Sequence, residues 1–268
     1  MHTNENVTPP TFWNILWGIM RHPRQTFALL REYTSRAWLW MAALALVAVL
    51  LPTLASAPIG ARLAREAMQQ SIENMRQQNP KMTIEQENQM MNAATNPLFT
   101  SVIPAIVSVL GAILGWLVWS GALHLLSTMM GGGETFGQMW RVVIWSQLPL
   151  VLRGLLQGIY ITLTGSLIAN PGLSGLVMPV QDASEAVQTF TSATPSTGQV
   201  VLQSLLGKID IFLLWNLALL GIGISVTARL SGRKAALLTV LVWLVLTALG
   251  LAPALMSSAM ISSMGGGF

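Results

Sequence analysis

The sequence predicts an all-α integral membrane protein: a five-helix bundle with an N-terminal interfacial amphipathic helix and a helical outer loop. Three observations carry that fold class. Only 9% of the 268 residues are charged, against about 25% in a soluble domain, so the chain cannot cover a water-facing surface of its own size. Mean hydropathy is +0.59. The few charges are spaced so that five long apolar runs lie between them, four of them free of charge and the third holding only Arg153. A soluble enzyme of ordinary build is thereby excluded. With no Cys in the chain, disulfides, thiolate metal ligation and a catalytic thiol are excluded too.

The first element, residues 12–20, is apolar but too short to span. Trp13 and Trp17 share one face at i, i+4, and Arg21, His22, Pro23 and Arg24 follow. Trp13, Trp17, Arg21 and Arg24 are therefore expected to anchor this helix in the headgroup layer, or to present a face to a partner. No basic residue precedes the apolar run and no small-residue cleavage pattern follows it, which argues against a signal peptide. Pro23 can open a second short helix, residues 24–33, with Phe27, Leu30 and Tyr33 at helical spacing.

Spans are expected at 37–57, 99–129, 142–168, 211–228 and 235–256. A charge at the bilayer centre costs at least about 2.5 kcal/mol, and about 20 residues of helix cross the hydrocarbon, so charge-free length is the controlling signal. The third run is the least regular, interrupted by Pro149 and Arg153. The last two are separated only by residues 229–234 and must form an antiparallel hairpin. An N-terminus inside places eight Lys/Arg on the cytoplasmic side against five outside, the bias expected of N-inside, C-outside in a cell (inner or plasma) membrane. The organisation is thus a cytoplasmic segment 1–36, a membrane domain 37–257 and a disordered tail 258–268.

Residues 58–98 read as an outer helical loop. Ala64, Met68, Ile72 and Met75 form one stripe, and Thr83 with Gln86 makes a capping box opening the next helix. Glu66, Glu73, Glu85 and Glu87 balance Arg62, Arg65, Arg76 and Lys81, so nucleic acid is not an expected ligand. Residues 181–199, rich in Ser, Thr and Pro, read as a mobile outer loop.

Chemistry is sparse. His2, His22 and His124 form no metal-binding spacing, and no cofactor motif is present. Ser120 and His124 lie at i, i+4, but a hydrolase also needs an oxyanion site and a base oriented by a third group. The segment Gly131-Gly132-Gly133-Glu134 lacks the Lys-Ser/Thr ending of a phosphate loop; its glycines end one helix, and Thr135 with Gln138 caps the next. Arg153 is the most expensively placed residue, about 18 Å along the helix from Arg141. Its expected company is Asp210, with Gln157, Asn216 and His124 as hydrogen-bonding groups. This candidate intramembrane polar site is either a structural clamp or part of an ion or lipid path. Gly111 and Gly115 on the second span, with Gly154 and Gly158 on the third, are two Gly-x-x-x-Gly motifs expected to bring those two backbones together.

Residues 21–27 (Arg-His-Pro-Arg-Gln-Thr-Phe), Gly131 to Phe136, Trp145 to Pro149 and Ile209 to Asn216 together resemble the bacterial branch of the Ypt-interacting protein (YIP) domain family, over residues 21–256. The five-span layout agrees. The resemblance implies a noncatalytic membrane adaptor, accessory subunit or membrane organiser. Eukaryotic relatives are linked to Rab-type GTPases and vesicle trafficking, and some bacterial relatives look like accessory subunits of ABC-type exporters. This chain has only about 36 residues before its first span and lacks the eukaryotic Tyr-Gly-Pro segment, so GTPase binding is not carried over. The expected partners are the lipid bilayer and an ABC-type transporter, another membrane protein or a second copy. The alternative function is a small transporter, channel or lipid scramblase using the polar residues around Arg153 and Asp210.

Overall fold

A computed structural model of the chain describes residues 10–33, 35–78, 82–168, 171–176, 202 and 204–265, with side chains followed as far as residue 251. The loop expected at 181–199 lies outside the described residues. Among the described residues every regular element is helical: α1 (Phe12–Arg21), α2 (Pro23–Glu32), α3 (Ala37–Gln78), α4 (Ile84–Ala94), α5 (Ile103–Met129), α6 (Phe136–Ser146), α7 (Leu148–Thr164), α8 (Ile211–Thr227) and α9 (Gly232–Gly265). A π-helical turn, Leu98–Val102, precedes α5, and a 3-10 turn, Gly172–Leu176, precedes α8. The chain divides into two compact units.

The first unit comprises Met1–Ala45, Leu114–Val151 and Ala169–Phe268. In its centre α8 packs against α2, α6 and α9. Ile15, Phe27, Met41, Met139, Trp145 and Ile224 are almost wholly buried. The helix starts follow from their caps. Thr11 caps α1 through Asn14 N, Pro23 opens α2 where a missing N–H costs nothing, and Asp210 caps α8. Thr135 and Gln138 form the expected reciprocal box at α6. The hairpin between α8 and α9 is closed at Arg229, whose φ of 57° lies in the left-handed region. The N-terminal helices are part of this unit's core, with Thr26, Phe27 and Leu30 of α2 buried.

The second unit comprises Leu46–Ile113 and Leu152–Ile168. Here α3 departs from expectation. The first span and the first helix of the outer loop are one 42-residue helix that passes through Pro52 and Pro58. Each Pro deletes a single ladder bond, and the long uninterrupted helix on either side tolerates the loss. Thr83 and Gln86 form the capping box of α4, and Arg76 grips both carboxylate oxygens of Glu87 at 2.6 and 2.8 Å. That contact holds the Arg76 guanidinium above its ordinary pKa, through the hydrogen bond first and the charge second.

Four helical stretches are long and apolar enough to cross a membrane: Ala37–Gln78, Ile84–Met129, Phe136–Thr164 and Gly232–Leu251. Only 6% of the most apolar window in Ile84–Met129 is buried inside the protein, the signature of a helix that faces lipid rather than a core. The fifth expected span, α8, has 17 residues and falls just short of that length. The third expected span starts at Phe136, six residues earlier than its apolar run, because the Thr135 cap rather than Arg141 sets the boundary. It breaks at Gln147, between α6 and α7, and not at Arg153. At the other end α9 remains helical to Gly265, well into the stretch 258–268 expected to be a disordered tail. No charged residue or Pro lies between 254 and 265 to stop it.

Candidate functional site

The polar groups of the first unit act at three separate joints. At the end of α5 the chain turns through Gly131, at φ +93°, and the Gly132 N–H donates to the Ser127 carbonyl at 2.8 Å. This turn folds Glu134 inward until its side chain is fully buried. One carboxylate oxygen accepts from the Ser127 hydroxyl and lies 3.3 Å from His124 Nδ1; the other has no partner among the described residues. A Cβ on Gly132 would stand 2.6 Å from that second oxygen and 2.9 Å from the Ser127 carbonyl. Only glycine lets the carboxylate sit there. Phe136 covers the imidazole edge-on at 6.1 Å. The Ser120 hydroxyl is buried and unbonded among the described residues, so the Ser–His contact that hydrolysis would need is not formed.

The second joint lies between α6 and α7. Pro149 has no N–H to close on the Trp145 carbonyl, so the ladder breaks at Gln147. The neighbouring carbonyl, that of Ser146, takes a hydrogen bond from buried Asn216 Nδ2 at 2.6 Å. The third joint ties α2 to its neighbours. Arg31 donates to the Val226 carbonyl at 3.3 Å, Gln138 to the Arg31 carbonyl at 3.2 Å, and Arg141 to the Tyr33 carbonyl at 3.3 Å. Beneath them Gly223 admits Phe27 and Val142, whose nearest atoms would be 3.3 and 2.5 Å from a Cβ at that position.

Of the five residues expected at one intramembrane polar site, His124, Asn216 and Asp210 have hydrogen bonds inside the first unit. His124 is paired with Glu134, Asn216 bonds Ser146, and the Asp210 carboxylate accepts from Leu213 N at 2.8 Å as the cap of α8. These are three fastenings within the first unit. Arg153 and Gln157 belong to the second unit, where both are half-buried. Glu134 was missed because a glycine run followed by an acid reads as an exposed turn. A usable signal was there: it is the only acidic residue between Glu87 and Asp182, ten residues from the only His of that stretch.

On α1, Ile15 and Ile19 are buried whereas Trp13 and Trp17 are exposed. The Arg21 guanidinium lies 5.3 Å above the Trp17 ring, and Arg24 is exposed at the start of α2. Phe12 packs on Trp145 at 5.6 Å. The two faces of α1 thus serve different environments.

The glycine motifs do not pair with each other. Gly154 and Gly158 of α7 meet α3, at Ala48 and Leu51. Gly111 and Gly115 have open space where a Cβ would be. The physical reason lies in α3: Pro52 frees the carbonyl of Ala48, four residues before it, and the Gly154 backbone closes onto that carbonyl. Thr53 and Ser108 link α3 to α5 by a hydroxyl pair at 3.3 Å.

Helical stretches of bilayer length, three of the four largely unburied, define a multi-pass integral membrane protein that contacts the lipid bilayer. The chain matches the Yip1 domain over residues 17–252 and belongs to that family of membrane proteins. No curated protein and no solved structure matches it.

Proposed function

We propose that the chain is a noncatalytic membrane adaptor or organiser with five crossings, its N-terminus inside the cell membrane and its C-terminus outside. The observation that carries this reading is the structural use of the first unit's polar side chains: Glu134 fastens the turn after α5 to His124 and Ser127, Asn216 ties α8 to Ser146 of α6, and Asp210 caps α8. A fifth crossing is supported by α8, whose 17 residues reach about 26 Å at 1.5 Å per residue and are extended by the residues at both ends. The surface such an adaptor would offer is apolar: Trp13 and Trp17 on α1, and the open glycine face of α5 at Gly111 and Gly115. An ABC-type exporter, another membrane protein or a second copy fits that surface; a bacterial relative's accessory role is the precedent the resemblance offers.

The test pairs two measurements on the full chain. Purification in mild detergent is expected to recover a stoichiometric membrane-protein partner, and proteoliposomes of the purified chain are expected to pass ions and lipids no faster than empty vesicles. Flux above the empty-vesicle rate that falls in an Arg153→Leu variant would overturn the adaptor in favour of a small transporter or scramblase.

A further inference from the structure

We propose that the groove between α8 and α9, closed at one side by the start of α2, holds the acyl chain of an anionic phospholipid, with Arg24 binding the phosphate. The groove has a volume of about 460 Å³ and is walled by Leu214, Ala218 and Gly221 of α8, Ala236 and Val240 of α9, and Arg24. Its length along α8, from Ser225 to Leu214, is about 16 Å at 1.5 Å per residue. The groove is an open slot rather than a closed cavity, and its walls are mostly apolar side chains. A single extended acyl chain is slender enough to run its whole length.

The chemistry selects the headgroup. Arg24 is the one charged side chain in the lining, it is exposed, and it has no carboxylate or hydrogen-bond partner among the described residues. The polar walls ask for nothing: the Thr239 hydroxyl already donates to the Ala235 carbonyl at 2.9 Å. Gly232, in the turn that carries exposed Arg229, Arg233 and Lys234, also lines the groove. A guanidinium at the rim of an apolar slot, next to a basic turn, is complementary to a phosphodiester with its tail in the slot. Small residues keep the slot open: a Cβ at Gly221 would have ordinary contacts, 3.8 Å to Thr239 Oγ1 and 3.9 Å to Ala236 Cα, so a larger side chain there grows into free space. This goes beyond the adaptor reading and stands or falls separately from it.

The experiment is native mass spectrometry of the full chain in mild detergent, loaded with equimolar phosphatidylglycerol and phosphatidylcholine of the same acyl composition. The wild-type chain is expected to retain one phosphatidylglycerol in preference. Arg24→Gln should lower that preference about fivefold, the factor corresponding to ~1 kcal/mol for one basic residue near anionic headgroups. Gly221→Leu should abolish retention of both lipids, and Arg65→Gln, on α3, should change nothing. Equal retention of the two lipids by the wild type, or a preference untouched by Arg24→Gln, overturns the proposal. So does a dimer that retains no lipid, which would give the groove to a second copy. Should Gly221→Leu fail to fold, the exposed Arg24 position decides alone.

Discussion

Replacing Gly154 by Ala is the most incisive test of how the second unit is held together. A Cβ at this position would lie against the Ala48 carbonyl oxygen, 3.0 Å from its carbon and 3.2 Å from the Ala48 Cβ. Two of these three atoms are backbone in the middle of α3, so no rotamer change relieves the overlap; α3 and α7 must separate. Overpacking of this kind costs about 1–3 kcal/mol, while the gain in helix propensity from Gly to Ala returns about 1 kcal/mol. Gly111→Ala, with open space around it, collects the propensity gain alone. Propensity cancels between the two variants, and Gly154→Ala should be less stable than Gly111→Ala by about 1–3 kcal/mol. Gly158→Ala should fall between them, because its obstacle is the Leu51 side chain, which can turn aside. Reversible unfolding of the three variants in mixed micelles titrated with a denaturing detergent measures the order. Equal stability of Gly154→Ala and Gly111→Ala would refute the close approach of α7 to the Pro52-freed carbonyl.

Two further outcomes follow from the joints of the first unit. Asn216→Leu removes the donor to the Ser146 carbonyl and leaves that buried oxygen unpaired, so the same unfolding titration should show a loss of about 1–3 kcal/mol; no loss would mean the break at Gln147 needs no partner. Glu134→Gln keeps an acceptor for Ser127 and should remain close to wild type in fold, whereas Glu134→Ala also empties the space under Gly132 and should lose about 1.5–3 kcal/mol, with faster hydrogen exchange at residues 127–135; identical exchange in both variants would remove Glu134 from the joint.

The membrane class was decided by composition, because a chain this poor in charge has no way to wet its own surface. Two caps were legible for a similarly local reason: Thr83 and Thr135 each act within three residues of themselves, and each is found doing so. The motif order that marked the family is likewise a property of the linear chain, and the Yip1 domain match over residues 17–252 agrees with it. Partner choice was not legible. The Gly-x-x-x-Gly spacing shows that a helix can be approached closely, but not by which neighbour, and it took the Ala48 carbonyl freed by Pro52 to draw α7 onto α3. Glu134 turned inward because a glycine two residues earlier leaves room for its carboxylate, and Asn216 reached Ser146 across 70 residues of sequence. Solvation energy and caps act residue by residue and so can be read from the chain. Which buried polar group satisfies which other depends on positions fixed only when the helices have packed.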